Sequence, residues 1–294
     1  MTIYNLGSIN ADHIYGVEHL PSPGETLPAH SFFTGLGGKG INQSVAAALA
    51  GSNVVHIGAV GPDGGWAVDR ISGYGVDAQY IRRIETPTGH AIVNVDQNGE
   101  NAIVIFSGAN NCQSIDQIHR ALDGAGAGDI LLLQNETNLQ AEAASIAYGR
   151  GMKVVYSAAP FSVEAVKNVL DSTTILMMNK VESEQLCAEL ETNLMSLPVS
   201  DIIVTKGSEG ADWLCPATGE VLNVASFPVA AIDTTAAGDT FAGYFAAGLD
   251  QALSIKESMV LGSAAAAIKV TRQGTADAIP KRAEVEVFLE DNRL

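Results

Sequence analysis

The stretch of this sequence best suited to chemistry combines two acidic residues with the small residues between them. Asp233 and Asp239 lie six positions apart, and Ala-Ala-Gly at 236–238 directly precedes Asp239. The apolar run 241–249 follows, so the pattern predicts a loop that leads into a helix N-terminus. Unpaired backbone N–H groups at such a terminus bind anions. Asp239 would accept a proton from a substrate hydroxyl, while the amides of 236–239 would hold a developing phosphoryl charge.

Asp239 also has a purely structural interpretation. Asp is a favoured N-cap residue, so its carboxylate could simply satisfy free amides of its own helix. The Gly238–Asp239 pairing and the polar residues elsewhere in the chain favour a catalytic role.

A second glycine-rich stretch, 35–43, carries glycines at its first, third and sixth positions. This spacing matches the dinucleotide fingerprint, but the preceding segment is a poor core strand and Val60 stands where an acidic residue is expected. A P-loop is excluded because Ile41, and not Ser or Thr, follows Gly-Lys. We interpret the stretch as a flexible substrate loop in which Lys39 and Asn42 offer hydrogen bonds to hydroxyls. A dinucleotide-dependent oxidoreductase is the weaker alternative.

The elements around these stretches predict an α/β fold with a central, mostly parallel sheet flanked by helices. Apolar strands alternate with helical segments from residue 114 onward, which is typical of a sheet covered on both faces. Further strands are expected at 3–6 and 54–60, and a β-rich stretch at 211–224. The alternating strands are predicted at 129–133, 152–156, 175–178 and 201–204, with helices at 139–148, 162–170, 181–190, 238–249 and 256–270.

Three other strands predict a small separate sheet. They lie at 31–34, 88–95 and 101–106, and the Asn-Gly at 98–99 between the last two is a strong hairpin signal. A sheet this small needs a partner surface. We therefore predict one domain, 1–294, with a lid drawn from about 14–36 and 88–108, and a homodimer that forms through the lid.

Polar residues recur where the predicted strands end, as at the rim of an active site. Residues 9–13 are expected to form a polar turn there, for which an Asx-type turn is the structural alternative. The Gly-punctuated loop 205–210 is suited to nucleotide phosphates or ribose, although a plain hairpin turn would look similar. The polar groups are Asn10, Asp12, 134–136, Ser157, Asn179, Glu182, 205–210 and 233–239.

Composition restricts the partners. The formal net charge of −17 argues against nucleic acid and anionic membranes, which are recognised by Lys and Arg clusters. No apolar run approaches the roughly 20 residues that a membrane span needs. The three cysteines have no zinc-site spacing, and the N-terminus reads as a strand and not as a leader, so we expect reduced thiols in the cytoplasm.

Four motifs give the chain a resemblance to the ribokinase family of sugar kinases, which also includes fructokinase and adenosine kinase. Residues 7–12 resemble its sugar motif, 37–43 its first signature, 234–241 its second signature, and 270–274 its monovalent-cation segment. The resemblance covers almost the whole chain. It implies transfer of the γ-phosphoryl of Mg-ATP to the 5-hydroxyl of D-ribose, with Asp239 as general base and K⁺ as activator.

The resemblance also assigns site residues. The amides of Ala236, Ala237 and Gly238 would stabilise the transferring phosphoryl, and Glu182 would be associated with Mg²⁺. The sugar hydroxyls would be bound by Asn10, Asp12, Gly38, Lys39, Asn42 and Glu136, with Asp239 on the 5-hydroxyl. ATP would lie against Asn179, Thr205, Lys206, Gly207, Ser208, Glu209, Gly210, Gly238 and Ser263. K⁺ would be surrounded by Asp233, Thr235, Lys269, Arg272, Gly274 and Ala278, after Asp233 mostly through backbone carbonyls.

Three features depart from the family pattern. Ser157 begins a Ser-Ala-Ala-Pro run where Asn-Pro-Ala-Pro is common, residues 190–201 are too short for an extra helix, and Ala278 stands where Ser is frequent. The alternatives that stay open are a kinase for deoxyribose, fructose, pseudouridine or adenosine, and a non-catalytic sugar or nucleotide sensor. The intact Gly238–Asp239 pair argues against a sensor, which needs no base.

Overall fold

The computed structural model describes residues 1–292, along which strands and helices alternate. The strands are β1 (Thr2–Leu6), β2 (Asn10–Gly16), β3 (Ser31–Gly37), β4 (Asn53–Val60), β5 (Val76–Arg83), β6 (Gly89–Val95), β7 (Asn101–Phe106), β8 (Ile130–Gln134), β9 (Lys153–Ser157), β10 (Ile175–Asn179), β11 (Asp201–Thr205), β12 (Ala211–Cys215) and β13 (Glu220–Val224). The α-helices are α1 (Lys39–Leu49), α2 (Gly65–Gly73), α3 (Ile115–Ala121), α4 (Gln140–Gly149), α5 (Val163–Val169), α6 (Lys180–Glu189), α7 (Ala237–Asp250), α8 (Ile255–Val270) and α9 (Arg282–Asp291).

The larger sheet has nine strands in the order β13-β12-β11-β10-β9-β8-β1-β4-β5. The strands from β11 to β5 run parallel, and the β12–β13 hairpin adds two antiparallel strands at one edge. This confirms the predicted fold class. The sequence reading missed β5, because an edge strand exposes part of its surface and this one carries Asp, Gln and Arg among its apolar residues.

Helices cover both faces of this sheet. Along β8, Ile130 and Leu132 belong to a core shared with α1, α2, α7, α8 and α9. Leu131 and Leu133 point to the opposite core, under α3 to α6. Side chains alternate between the faces of a strand, so burial on both sides demands the continuous apolar run seen here.

The smaller sheet, which we call the lid, has four strands in the order β3-β2-β6-β7. β2 pairs parallel with β6 and antiparallel with β3, and β6 and β7 form the predicted hairpin. The expected polar turn at 9–13 is wrong, because most of it lies in β2. Pairing on both sides satisfies the backbone of β2 and outweighs the local turn preference of its Asn and Asp residues.

The predicted flexible loop at 35–43 is also ordered differently. Residues 35–37 complete β3, and α1 begins at Lys39 after Gly38, whose φ of 96° suits glycine. A Cβ on Gly40 would lie 2.4 Å from the backbone of Gly7, so the close approach of α1 to the end of β1 requires this glycine. The glycines thus serve tight packing and not mobility.

Within residues 1–292, none of the helices is both long and apolar enough to cross a bilayer. The three cysteines are unpaired thiols in the described structure.

Candidate active site

Asp239 lies in the first turn of α7 with its carboxylate buried against α1. Asn42 donates from Nδ2 to Oδ2 of Asp239 at 3.0 Å, and Gln43 donates from Nε2 to Oδ1 at 3.2 Å. The N-cap of α7 is Ala236, and no side chain of the described residues caps this end of the helix. The capping interpretation of Asp239 is therefore wrong, because its carboxylate is held by α1 and not by its own helix.

The backbone at the start of α7 presents amide groups to a cleft. Ala236 adopts a left-handed conformation with φ 59°, and the N–H of Ala237 donates to the carbonyl of Thr234 at 3.2 Å. Among residues 1–292, the N–H groups of Ala236, Gly238 and Asp239 have no protein acceptor. Open space surrounds Gly238, where a Cβ would meet no atom within 4 Å. These donors, at the positive end of a helix, suit an anion.

Asn42 has an acceptor that the protein leaves unused. Its Oδ1 is buried and has no hydrogen-bond partner in the described structure. A buried unpaired oxygen is unfavourable, so its presence beside Asp239 suits a ligand that supplies a donor there. A sugar hydroxyl is such a donor.

Glu136 connects the end of β8 to the start of α1. Its Oε2 accepts from the hydroxyl of Ser8 and from the backbone N–H of Lys39, the latter at 2.9 Å. Burial raises the pKa of Glu136, against the opposing effects of Ser8 and Lys39. The carboxylate of Asp239, followed by that of Glu136, raises the pKa of Lys39. Lys39 thus remains a cation between two carboxylates.

Asp12 lies on β2, opposite Gly35 of β3 and Ala91 of β6. A Cβ on Gly37 would come within 1.9 Å of Oδ2 of Asp12, so the carboxylate fills the space that the missing side chain leaves. Burial, together with the charge of Glu136, raises the pKa of Asp12 to about 7. Asp12 therefore changes its charge near neutral pH.

Asn10 is buried near the start of β2 and is fixed by a residue that the sequence reading missed. Asn110 donates from Nδ2 to Oδ1 of Asn10 at 2.7 Å and accepts from the N–H of Ile9 at 2.9 Å. Asn110 follows β7 in a short 3-10 helix, 100 residues away in sequence. Ser8 and Gln43 lie within two of the sequence motifs, 7–12 and 37–43, but the sequence predicts no role for either side chain. Their position next to predicted ligands in the sequence could have identified them, whereas no feature of the sequence around Asn110 indicates a role in the site.

A cleft beside α7 brings the predicted catalytic and nucleotide residues together. Ser157, at the end of β9, lines it where the family pattern has Asn, and Thr234 in the loop before α7 lines it as well. The second departure from the family pattern is also seen in the structure, because residues 190–201 contain a 3-10 helix, Leu194–Ser196, and no α-helix. The cleft is lined by Lys39, Ser157, Ala159, Met177, Met178, Asn179, Glu182, Thr205, Thr234, Ala236, Ala237, Gly238, Asp239 and Ala242.

Asn179 and Glu182 also cap α6. The Glu182 amide donates to Oδ1 of Asn179 at 2.9 Å, and the Asn179 amide donates to Oε2 of Glu182 at 2.7 Å. Glu182 Oε1 has no protein partner in the described residues. No cluster of three or more His, Cys, Asp or Glu within 1–292 is placed to hold a metal.

The predicted nucleotide loop is placed next to the cleft but only partly in it. Thr205 pairs with Asn179 in the sheet and lines the cleft. The ammonium of Lys206 instead forms an ion pair with the carboxylate of Asp212, with Nζ 2.9 Å from Oδ2. Gly207–Glu209 forms a 3-10 turn. Gly210 has φ 93°, and a Cβ there would meet the Val224 carbonyl at 2.1 Å. The residues that do not line the cleft are Lys206, Gly207, Ser208, Glu209, Gly210 and Ser263, the last buried in α8.

Three of the residues expected around K⁺ contact Asp233, namely Thr235, Lys269 and Gly274. Oδ1 of Asp233 accepts from the Thr235 amide and its Oδ2 from the Gly274 amide, each at 2.9 Å. These hydrogen bonds hold the pKa of Asp233 below its usual range, although partial burial acts to raise it. Ala278 lies beside Gly274, whereas the Arg272 guanidinium pairs with Glu284 on α9.

The side chain of Lys269 was not expected in this site. Its ammonium is fully buried and donates to the Asp233 carbonyl at 3.0 Å. Burial lowers the pKa of Lys269, and the Asp233 carboxylate opposes that effect. The residues present therefore do not fit K⁺ as the resemblance implies, because a protein cation already contacts the backbone oxygen of Asp233.

Comparisons with known proteins find relatives that match almost the whole chain. A ribokinase of Haemophilus influenzae is 36% identical over 98% of each chain, and a deoxyribokinase of Salmonella typhi is 31% identical over 99% of this chain and 100% of its own. The structure of Arabidopsis thaliana ribokinase complexed with ribose and ATP superposes with a TM-score of 0.86 at 29% identity, covering 98% of both chains. The pattern of the pfkB family carbohydrate kinases matches residues 2–282, and this chain belongs to that family.

Proposed function

We propose that this enzyme transfers the γ-phosphoryl group of ATP to the 5-hydroxyl of D-ribose. The observation that carries the proposal is the placement of Asp239. Its carboxylate is held by Asn42 and Gln43 directly beside the free amides that open α7. A proton acceptor and an anion site thus share one end of one cleft, as phosphoryl transfer to a hydroxyl requires.

Each residue has a separate task in this reaction. Asn42 and Gln43 orient the Asp239 carboxylate so that it accepts the proton of the incoming hydroxyl. The amides of Ala236, Ala237 and Gly238 stabilise the charge on the transferring phosphoryl, for which Ala237 would exchange its contact with Thr234. Glu182 and Asn179 would hold Mg²⁺ through phosphate and water, and the ion would neutralise phosphate charge. Lys39 adds a cation at the same end of the cleft.

The sugar would lie between the lid and α1. Asn10, Asp12 and Glu136 offer amide and carboxylate oxygens, Lys39 offers an ammonium, and Gly38 permits close approach of the backbone. Buried polar groups left without partners disfavour sugars that lack the matching hydroxyls. The deoxyribokinase relative makes deoxyribose the second candidate.

The nucleotide would extend from the α7 amides toward Thr205. Lys206, Gly207, Ser208, Glu209 and Gly210 lie beyond the cleft, and we propose that this loop and Ser263 contact the ribose or adenine of ATP. The register of β10 with β11 supports this arrangement, because it puts the loop beside Asn179.

A further proposal concerns the assembly of the protein. The lid forms the contact of a homodimer, and its exposed apolar residues support this contact. The resemblance also implies activation by K⁺ at the Asp233 site, but the ammonium of Lys269 already donates to the Asp233 carbonyl there.

An ADP-release assay with Mg-ATP tests the function. D-ribose should give a higher kcat/KM than 2-deoxyribose, fructose, adenosine or pseudouridine.

In the same assay, Asp12→Ala should raise the KM for ribose far more than the KM for ATP. Two other outcomes of the substrate comparison are informative. A preference for another acceptor would retain Asp239 as the base but replace the substrate. Calorimetric ribose binding without any ADP release would instead support a sensor.

A further inference from the structure

Lys269 is a charged side chain in a place where charge is costly. It lies at the C-terminal end of α8, and no part of it is exposed to solvent. Its ammonium donates to the Asp233 carbonyl at 3.0 Å and lies 3.9 Å from Asp233 Oδ2. Among the described residues it has no other hydrogen-bond acceptor or acidic partner within these distances. A buried ammonium persists only where a specific partner compensates for lost hydration.

Asp233 links two segments next to the catalytic helix. Its carboxylate receives the amide of Thr235, in the loop that precedes α7, and the amide of Gly274, in the loop that follows α8. Its own N–H donates to the carbonyl of Val270 at 3.1 Å. The placement of the amides that open α7 therefore depends on Asp233, three residues before Ala236.

A monovalent metal ion and the Lys269 ammonium would compete for this site. Potassium is bound in proteins by oxygens that replace its hydration shell. The Asp233 carbonyl already accepts from Lys269, and two cations held close together with little water between them repel each other strongly. One positive charge balances the Asp233 carboxylate, and Lys269 supplies it.

We propose that the Lys269 ammonium is the built-in monovalent cation of this enzyme, so that neither its stability nor its activity needs potassium. Lys269 acts as a positioning residue. It fixes the Asp233 carbonyl and carboxylate, and through them the loop that presents the α7 amides. It does not contact the reacting groups.

The wild-type enzyme provides the first test. Activity and melting temperature are measured in potassium chloride and in tetramethylammonium chloride at equal ionic strength. Both should agree, with rates within about twofold, because the two salts screen charge alike. Activation of about tenfold or more by potassium, or a potassium-specific rise in melting temperature from binding to the folded state, would overturn the proposal.

Two variants provide the second test. Lys269→Ala removes the charge and leaves space, whereas Lys269→Met removes the charge and keeps most of the volume. Without potassium, both should lose on the order of 10²-fold in kcat with little change in the KM for ATP, because displaced catalytic amides act on the reaction step. Potassium should restore activity and raise the melting temperature of Lys269→Ala, but not of Lys269→Met.

The control is Lys256→Ala, an exposed lysine at the other end of α8, which should behave as wild type in both salts. Unchanged kcat in Lys269→Ala without potassium would contradict the role of the ammonium. Failure of potassium to restore that variant would contradict the exchange of one cation for the other. The activity readout rests on the proposed function, but the melting temperatures do not. A wrong sugar assignment therefore leaves the stability test intact.

Discussion

At the scale of single residues, Asp239 differs from an ordinary first-turn aspartate in where its hydrogen bonds come from. Both of its oxygens accept from side chains of α1, and none from the amides of its own helix. We therefore expect Asp239→Asn to lower kcat by about 10²- to 10⁴-fold, because a neutral amide cannot accept the hydroxyl proton. Steady-state kinetics measures this loss.

Ribose binding separates this role from a structural one. Calorimetry should find the Kd of Asp239→Asn within about tenfold of the wild-type value, since the base acts on the transition state. Near-normal turnover in this variant would assign the base elsewhere.

The raised pKa of Asp12 leads us to predict that sugar binding depends on pH. Its pKa is raised to about 7 by burial and by the charge of Glu136, so it is largely protonated at pH 6 and ionised at pH 8. The carboxylate accepts more hydrogen bonds from hydroxyls than the protonated acid does. The Kd for ribose should therefore be about tenfold higher at pH 6 than at pH 8, because one pH unit below the pKa leaves about a tenth of the sites ionised.

Calorimetry in buffers of different ionisation enthalpy would also detect proton release when ribose binds at pH 6. Asp12→Asn cannot titrate, and its Kd should be higher and nearly constant over the same range. A wild-type Kd that does not change with pH would show that Asp12 does not bind the sugar in its ionised form.

At the scale of elements, the contact between α1 and α7 places Asn42, Gln43 and Asp239 together. The helices approach closely at Gly243, where a Cβ would lie 2.5 Å from both the Gln43 carbonyl and the Ala46 Cβ. Gly243→Ala should lower the free energy of unfolding by about 1–3 kcal/mol, because overpacking forces the helices apart. It should also lower kcat, since Gln43 then moves relative to Asp239. Urea unfolding and steady-state kinetics measure the two effects.

Gly73→Ala, at the end of α2, is the matched control. A Cβ at Gly73 would meet no atom within 4 Å, so the variant should be as stable as wild type or gain up to about 1 kcal/mol. If Gly243→Ala behaved in the same way, α7 would not be held in place by this contact.

At the scale of the whole molecule, the lid leaves a large apolar surface uncovered. On the face opposite Asp12, Phe32, Ile92, Val104 and Phe106 are all exposed. Patches of this kind mark interaction sites, and β7 is also an edge strand whose outer side pairs with no strand of the described residues. A second copy of the lid would cover both features.

We predict that the wild-type protein is a dimer and that Val104→Asp shifts it toward monomer. Burying an unpaired carboxylate in an apolar contact should raise the dimer Kd on the order of 100-fold. Sedimentation or light scattering over a dilution series measures this shift. Val221→Asp, at an equally exposed position on edge strand β13, should leave the assembly unchanged. A wild-type monomer at all concentrations would contradict the lid contact.

The sequence by itself determined the fold class and most of the parallel strands, and it located the candidate site at 233–239. These features are local: apolar runs of strand length, helical periodicity, and an acidic residue after Ala-Ala-Gly each leave a signal within about ten residues of chain. The lid hairpin was also predictable, because the two residues Asn-Gly between two strand-like runs are enough to indicate a hairpin turn.

Only the tertiary structure decided how distant residues act on one another. Asn110 fixes Asn10 across 100 residues, and Glu136 raises the pKa of Asp12 although the two are far apart in sequence. The sequence predicted a turn where β2 begins, and it is the pairing with β3 and β6 that makes this segment a strand. The resemblance placed Lys269 at the K⁺ site through its backbone, and only the structure shows that its buried ammonium has the Asp233 carbonyl as a partner. Charge, burial and pairing depend on what surrounds a group in space, and a sequence records only what precedes and follows it.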